Sequence, residues 1–209
     1  MTSSRDDAPS LRRLETPLVA GPWKLHPVQA ADVPLLYNWI MHPDVCHRWT
    51  TRGLVVPFET FERRVWEDVL ASFFVSRTGA PVAWVTLTSA DLHSGHCSGS
   101  VVVRPSLIGS GVGYRAALLV VRYGFAVYPF RKIYFESVEY AAAEYASAFS
   151  SLLRVEAVLE EHLYFDGRYW PRIISSITRS RWDEVGRPLF DRLFRDQFGE
   201  LTGARDQDG

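Results

Sequence analysis

The sequence predicts an α+β fold built on a mostly antiparallel sheet of about seven strands, and three observations lead there. Phe73 to Arg77, Pro81 to Ser89 and Cys97 to Arg104 are strand-like runs separated by Thr78-Gly79 and by a turn from Asp91 to Gly95, the pattern of an antiparallel meander. Apolar Val101-Val102-Val103 then passes through a glycine-rich turn into a helix-period stretch from Tyr114 to Val127. Late in the chain two long strands flank Asp166-Gly167, a pair suited to a two-residue hairpin turn.

In chain order, Met1 to about Thr16 is rich in Ser, Asp and Arg and reads as a flexible leader; 17–183 form one domain, and 184–209 a C-terminal helix and tail. Residues 23–28 read as the first strand. After Asp32, the apolar positions Val33, Leu36, Tyr37 and Ile40 recur at helical spacing and stop at His42-Pro43. Pro57 opens a second helix predicted over Phe58 to Ala71, with Phe61, Val65 and Val69 on one face. The meander follows, then helix 111–127, a strand from Lys132 to Val138, helix 141–153 and the two hairpin strands. Pro188 to Leu201 is a further amphipathic helix, and its stripe of Leu189, Phe190, Leu193, Phe194 and Phe198 reads as packed core or as the contact of a homodimer.

Composition narrows the classes. The 209 residues suffice for one well-buried core, and 47% apolar content is incompatible with a disordered chain. A net charge of −1 argues against a nucleic-acid binder held by a broad basic face. Cys46 and Cys97 lie far apart and give no disulfide framework, so a reducing cytoplasm is the expected location. No apolar stretch reaches the roughly 20 residues of a membrane span, and no membrane partner is expected. His93, His96 and Cys97 have the spacing of metal ligands, but they share a short turn without an evident fourth ligand, so no metal is expected.

The glycine-rich turn carries the chemistry. Glycines let a backbone approach a ligand closely, and a helix N-terminus offers unpaired N–H groups and the positive end of its dipole. Together they suit a phosphate or pyrophosphate. A P-loop requires Lys and then Ser or Thr after its last glycine, whereas Gly113 is followed by Tyr114 and Arg115. A dinucleotide fingerprint requires glycine where Tyr114 stands. A tight turn that merely packs a helix on a strand is the plain alternative.

In context, Pro105 followed by Ile108-Gly109-Ser110-Gly111-Val112-Gly113 resembles the turn of the GCN5-related N-acetyltransferase (GNAT) family, in particular its ribosomal-protein and small-amine branch. Trp23 to Pro27 with Ala31 to Trp39 and His42 to Val45 resembles the family's opening strand and helix. Glu156 to Trp170 is similar to its late hairpin, and Ile177 to Trp182 to its closing strand. The resemblance covers about 20–183. It implies a mixed, twisted, mostly antiparallel sheet flanked by helices, and an acetyl-CoA or other acyl-CoA cosubstrate. It further implies direct acyl transfer to a primary amine, on a small molecule or a protein N-terminus, without a covalent enzyme intermediate. The pyrophosphate would meet N–H groups of Gly109, Ser110, Gly111, Val112, Gly113 and Tyr114, and the pantetheine arm the backbone of Val101 and Val103. Ile108 stands where the family usually has Gln or Arg, which removes one side chain near the phosphates and leaves the backbone site intact.

The family's acid and base positions are poorly kept. Ala141 and Ala148 stand where the branch usually has Asn and Tyr, Leu152-Leu153 replaces Gly-Phe, and Ser98 falls where an acidic residue is common. Replacements come from Glu136, Glu139, Tyr145 and His162. Glu136 reads as a general base or a paired carboxylate, and His162 as a base or a solvated ring. Trp49, Tyr169 and Trp170 are candidates for an acceptor pocket or for plain burial. Two other functions stay open: a degenerate protein that binds a pantetheine thioester without turnover, and a transferase that takes its acyl group from a carrier protein or an aminoacyl-tRNA.

Overall fold

The computed structural model describes residues 18–139, 141 and 151–195. An eight-stranded sheet runs in the order β1-β2-β3-β4-β5-β6-β8-β7, where β1 is Val19–Ala20, β2 Trp23–Pro27, β3 Val69–Arg77, β4 Ala80–Asp91, β5 His96–Val103, β6 Lys132–Val138, β7 Arg154–Phe165 and β8 Arg168–Thr178. Every pairing is antiparallel except β5 with β6. The short first strand is the one not predicted; two residues carry too little alternation to read. Helices α1 (Val33–Ile40), α2 (Pro43–Cys46) and α3 (Phe58–Arg64) precede β3, α4 (Val112–Val127) joins β5 to β6, and α5 (Arg179–Arg181), a π turn and α6 (Arg187–Arg195) follow β8.

Side-chain alternation sorts the strands into two packed faces. Phe73, Val75, Ala83, Val85, Leu87 and Ile133 pack with α4 and α6, whereas Phe74, Trp84 and Val102 pack with α1 and α3. The result is three layers, with the sheet in the middle. Helix α4 is apolar on most sides because it lies between the sheet and α6: Ala116, Leu118, Leu119, Val120 and Val121 are all fully buried. At Gly124 an ideal Cβ would stand 2.9 Å from the Ile133 Cδ1 methyl, so the helix lies close on the sheet there and a larger residue requires Ile133 to shift.

Two expected boundaries shift. The second helix stops at Arg64 instead of running to Ala71, and Val69 opens β3. Asp68 takes a positive φ of 54° that ends the helical path, and it ties to Ser89 through a hydroxyl-to-carboxylate bond of 2.8 Å. The closing strand ends at Thr178 instead of reaching Trp182; Thr178 caps a helical turn by accepting from Arg181 N. In the tail, α6 covers Arg187–Arg195, with Phe190 and Phe194 buried against Trp23 and Trp182, so this part of the stripe is core. The predicted leader, the body of helix 141–153 with Tyr145 and Ala148, and Phe198 fall outside the described residues. Among the described residues no helix is long and apolar enough to cross a membrane.

Arg179 locks the far end of α4. Its guanidinium donates to Phe125 O (2.9 Å), Tyr128 O (2.7 Å) and Phe130 O (2.7 Å), carbonyls that the helix end and the turn beyond it leave over. Replacing Arg179 with Ala strips all three, and the expected loss is on the order of 3 kcal/mol of unfolding free energy in urea titrations. Across the other half of the sheet, Glu156 accepts from Lys132 Nζ at 2.8 Å and Ser176 Oγ at 2.5 Å, which joins β6, β8 and β7. The Lys132 and Ser176 bonds hold the Glu156 carboxyl below its usual range, and Glu156 holds the Lys132 ammonium above its own. The carboxylate's contribution is therefore complete above the ordinary Glu range and fades as pH falls through its lowered value. That of the ammonium fades only as pH climbs past the ordinary Lys range. Melting temperatures of wild type and Glu156→Gln are expected to differ at neutral pH and to converge on acidification.

Candidate functional site

The site begins where β5 and β6 part. They pair only at His96–Ser98 with Lys132–Tyr134, although β5 runs on to Val103 and β6 to Val138. At the first position past the paired residues the Phe135 ring sits on Gly99, where an ideal Cβ would come within 2.8 Å of two ring carbons. Beyond it opens a cleft of about 840 Å³ whose wall includes Gly99, Val101, Gly113, Phe135, Glu136 and Ser137. A narrower space of about 220 Å³ continues it toward Gly109, Gly111 and Tyr114.

Backbone polarity follows from register. Arg104 N donates to Val82 O at 2.9 Å, so Arg104·Val82 and, by alternation, Val102·Trp84 are the hydrogen-bonded pairs of β5 with β4. The N–H and C=O groups of Val101 and Val103 therefore point the other way, toward the gap that β6 leaves. The chain next forms a short 3-10 turn, Pro105–Leu107, and Gly109 and Gly111 take φ of 80° and 77°. These left-handed values favour glycine at both positions. Gly111 is the N-cap of α4, and the first intrahelical bond comes only at Arg115 N to Gly111 O, 3.4 Å. The N–H groups of Val112, Gly113 and Tyr114 thus precede the helical ladder. Ser110 behaves differently: its N–H (3.2 Å) and its hydroxyl (2.6 Å) both turn back to Leu107 O. Val112 is buried and Ile108 packs toward the α1–α3 face, so each contributes backbone to the turn and apolar side chain to the interior. Burial pushes the Tyr114 phenol above its ordinary pKa, against the pull of Arg192 and Arg115, which keeps it a protonated donor.

On the wall shared by the wide and the narrow space, Glu136 Oε2 accepts from Arg172 Nη2, and Arg172 Nη1 lies 3.3 Å from His162 Nε2. Arg172 comes from β8, opposite Val138 of β6 and Leu159 of β7. His162 sits in a bulge of β7, exposed, with Glu161 at φ 49°, so it reaches the cleft only through Arg172. Arg48, Trp49 and Arg52 approach from the loop after α2, and Trp49 packs on Trp84 with ring centroids 5.0 Å apart. The hairpin tip supports this loop. His47 stacks on Phe165 at 5.2 Å, Phe165 on Trp170 at 5.2 Å and 7°, and the Arg168 guanidinium lies 3.5 Å over Trp170.

The structure therefore gathers Val101, Val103, Ile108, Gly109, Gly111, Gly113, Tyr114, Trp49, Glu136 and Glu139 along one continuous cleft. Tyr169 is 62% exposed beside Tyr164, and Trp170 belongs to the supporting stack, so neither stands on the cleft wall. Tyr145 lies outside the described residues. Sequence reading missed Arg172, Arg48 and Arg52. The first emerges only from the pairing of β6 with β8, which no local pattern announces, and the other two only from the path of an irregular loop.

Neither a protein-family model nor a curated protein sequence matches the chain. Solved structures do. Spermidine N-acetyltransferase from Vibrio cholerae, in complex with CoA and spermine, superposes with a TM-score of 0.67 at 16% identity, over 77% of this chain and 98% of that one. RimL, a ribosomal L7/L12 alpha-N-protein acetyltransferase in complex with coenzyme A, superposes with a TM-score of 0.64 at 11% identity, over 75% and 94%. At such identities the likeness is one of fold.

Among the described residues no three His, Cys, Asp or Glu side chains gather as metal ligands. Cys97 is buried in the sheet, and burial pushes its thiol up to about 12, which leaves almost no thiolate at neutral pH. Titration with an aromatic disulfide is expected to find one thiol per chain in the native protein, Cys46, and the second only after denaturation.

Proposed function

We propose that this chain, which has the fold of the GNAT acetyltransferases, is an acyl-CoA-dependent N-acyltransferase. The observation that carries the reading is the gap between β5 and β6, which turns free backbone groups of Val101 and Val103 into a cleft ending at the N-terminus of α4. An acyl-CoA has two parts that need these two features: an amide-bearing arm that pairs like an added strand, and a pyrophosphate. The residues fit that ligand. Gly109 and Gly111 leave the turn open, since an ideal Cβ at Gly109 meets nothing within 4 Å and one at Gly111 only Arg115 at 3.8 Å. Val112, Gly113 and Tyr114 supply N–H groups, while Ser110 holds the turn's shape through Leu107.

Bound here, acyl-CoA would supply an activated thioester. The acceptor nitrogen forms a bond to the acyl carbon, the carbon–sulfur bond breaks, the nitrogen loses one proton and the sulfur gains one. A thiol ionises near pH 8.5 in its ordinary state, so it leaves without strong acid help, and positioning supplies much of the rate. Glu136, held by Arg172, is the carboxylate on the cleft wall proposed to hold the amine and accept its proton. His162 acts on this pair through Arg172. Tyr145 remains the proposed phenol donor to the departing sulfur. The acceptor is a primary amine of a small molecule or an N-terminus, and the protein is proposed to work in the cytoplasm. Ala141, buried at the end of the narrow space where the branch has Asn, favours the non-catalytic thioester binder as the second reading.

Saturating CoA is expected to raise the melting temperature, because a ligand that binds only the folded state stabilises it by mass action. Gly111→Asp, which sets a carboxylate and a strained φ against the pyrophosphate, is expected to abolish that shift. Absence of a CoA shift in the intact wild type rejects both readings, whereas a shift without thiol release across an amine panel selects the binder.

A further inference from the structure

Ile108 offers the glycine turn no polar side chain, and Ser110 directs its N–H and its hydroxyl to Leu107 O. Arg115 reaches the turn instead. Its Nη1 stands 3.8 Å from an ideal Cβ at Gly111, because a long helical side chain points back toward the N-terminus. The guanidinium rests over the buried Trp23 ring, 5.9 Å from the centroid, and Arg77 lies over the same ring at 5.5 Å. Phe194 of α6 packs against Trp23, so the platform is fixed.

This charge is badly placed for the protein alone. Folded back to the N-cap, it meets the positive end of the α4 dipole, where cations are disfavoured. Its Nε–H is shielded from water without an acceptor, and among the described residues no carboxylate pairs with it. Arg192 adds to the positive field at Tyr114. An anion at the turn offsets that field. Position decides which part of the ligand supplies it. Gly113 and Ala117 face the cleft, whereas Arg115 projects about 200° round the helix from Gly113. Arg115 therefore borders the far side of the turn, past the point where the pantetheine arm ends.

We infer that Arg115 binds a phosphate on the adenosine side of acyl-CoA, while the N–H groups of Val112, Gly113 and Tyr114 take the phosphate that ends the pantetheine arm. The inference deepens the acyl-CoA reading and rests on it. Arg115 is then the residue that separates CoA from a donor carrying the same arm without a nucleotide, such as the phosphopantetheine of a carrier protein.

Calorimetric titration with CoA, dephospho-CoA and 4′-phosphopantetheine tests this, because CoA and 4′-phosphopantetheine share the arm and differ in the nucleotide. Wild type is expected to prefer CoA. Arg115→Gln is expected to narrow that preference about tenfold or more while 4′-phosphopantetheine affinity holds, as loss of one charge-assisted contact implies. Arg115→Lys, which keeps the charge and loses the fork, is expected to fall between. Without ligand, Arg115→Gln is expected to melt no lower than wild type, since it removes a cation from a helix N-terminus. A loss of affinity seen with CoA and dephospho-CoA alike assigns the contact to the pyrophosphate, and one seen with CoA alone to the 3′-phosphate; either result sustains the inference. Arg115→Gln with an unchanged preference for CoA overturns it. So does a variant that weakens both ligands alike or melts well below wild type without ligand, because the arginine is then a packing residue. CoA that fails to bind wild type removes the acyl-CoA reading and the inference with it, whereas a null confined to the variant removes the inference alone.

Discussion

The parting of β5 from β6 at the level of Gly99 and Phe135 is the constraint on which the functional half of the molecule depends. Above it β5 and β6 are ordinary parallel neighbours for three residue pairs; beyond it they are two walls. A sheet that stayed paired would satisfy the backbone of Val101 and Val103 internally and leave α4 capping a closed edge. Interrupted at this point, the sheet keeps its continuity through the His96–Ser98 pairing and yields a polar gap in a protein interior. Everything else assigned to the site either borders that gap or orients something that does.

Orientation of α4 is the second requirement, and it is met at both helix ends by different chemistry. At the N-terminus Gly111 turns the chain with a positive φ; at the other end Arg179 gathers three carbonyls from the last turn and the loop beyond. Between them the apolar body is pressed to the sheet by Trp182, Phe190 and Phe194. Elements after β8 thus act on a turn some seventy residues earlier, and Arg192 close to Tyr114 brings the last described helix near the turn itself.

Much of this was legible in the sequence where the signal is local. Asp166-Gly167 forms its two-residue turn with φ of 51° and 73°, and the glycine spacing at 109–113 places a turn and a helix start where they occur. What failed to show was nonlocal. Arg172 joins Glu136 only because β8 pairs with β6, and a bulge between Leu159 and Leu163 shifts the register that counting from the hairpin turn would give. Helical periodicity from Phe61 through Val65 to Val69 continued on paper past Asp68, whose positive φ no pattern of apolar residues reveals. Tyr169 and Trp170 looked like pocket residues by type, yet an aromatic near a site is as useful for holding a loop as for touching a ligand.

That last point has a wider bearing. The stack from His47 through Phe165 and Trp170 to Arg168 ties the loop that carries Arg48 and Trp49 to the tip of a hairpin more than a hundred residues later. The two halves of the sheet share only a short paired seam, so this stack is a second clasp between them. Arg48 and Trp49 border the wide cleft and the narrow space alike, so a change at the hairpin tip is felt along the whole cleft through a single loop.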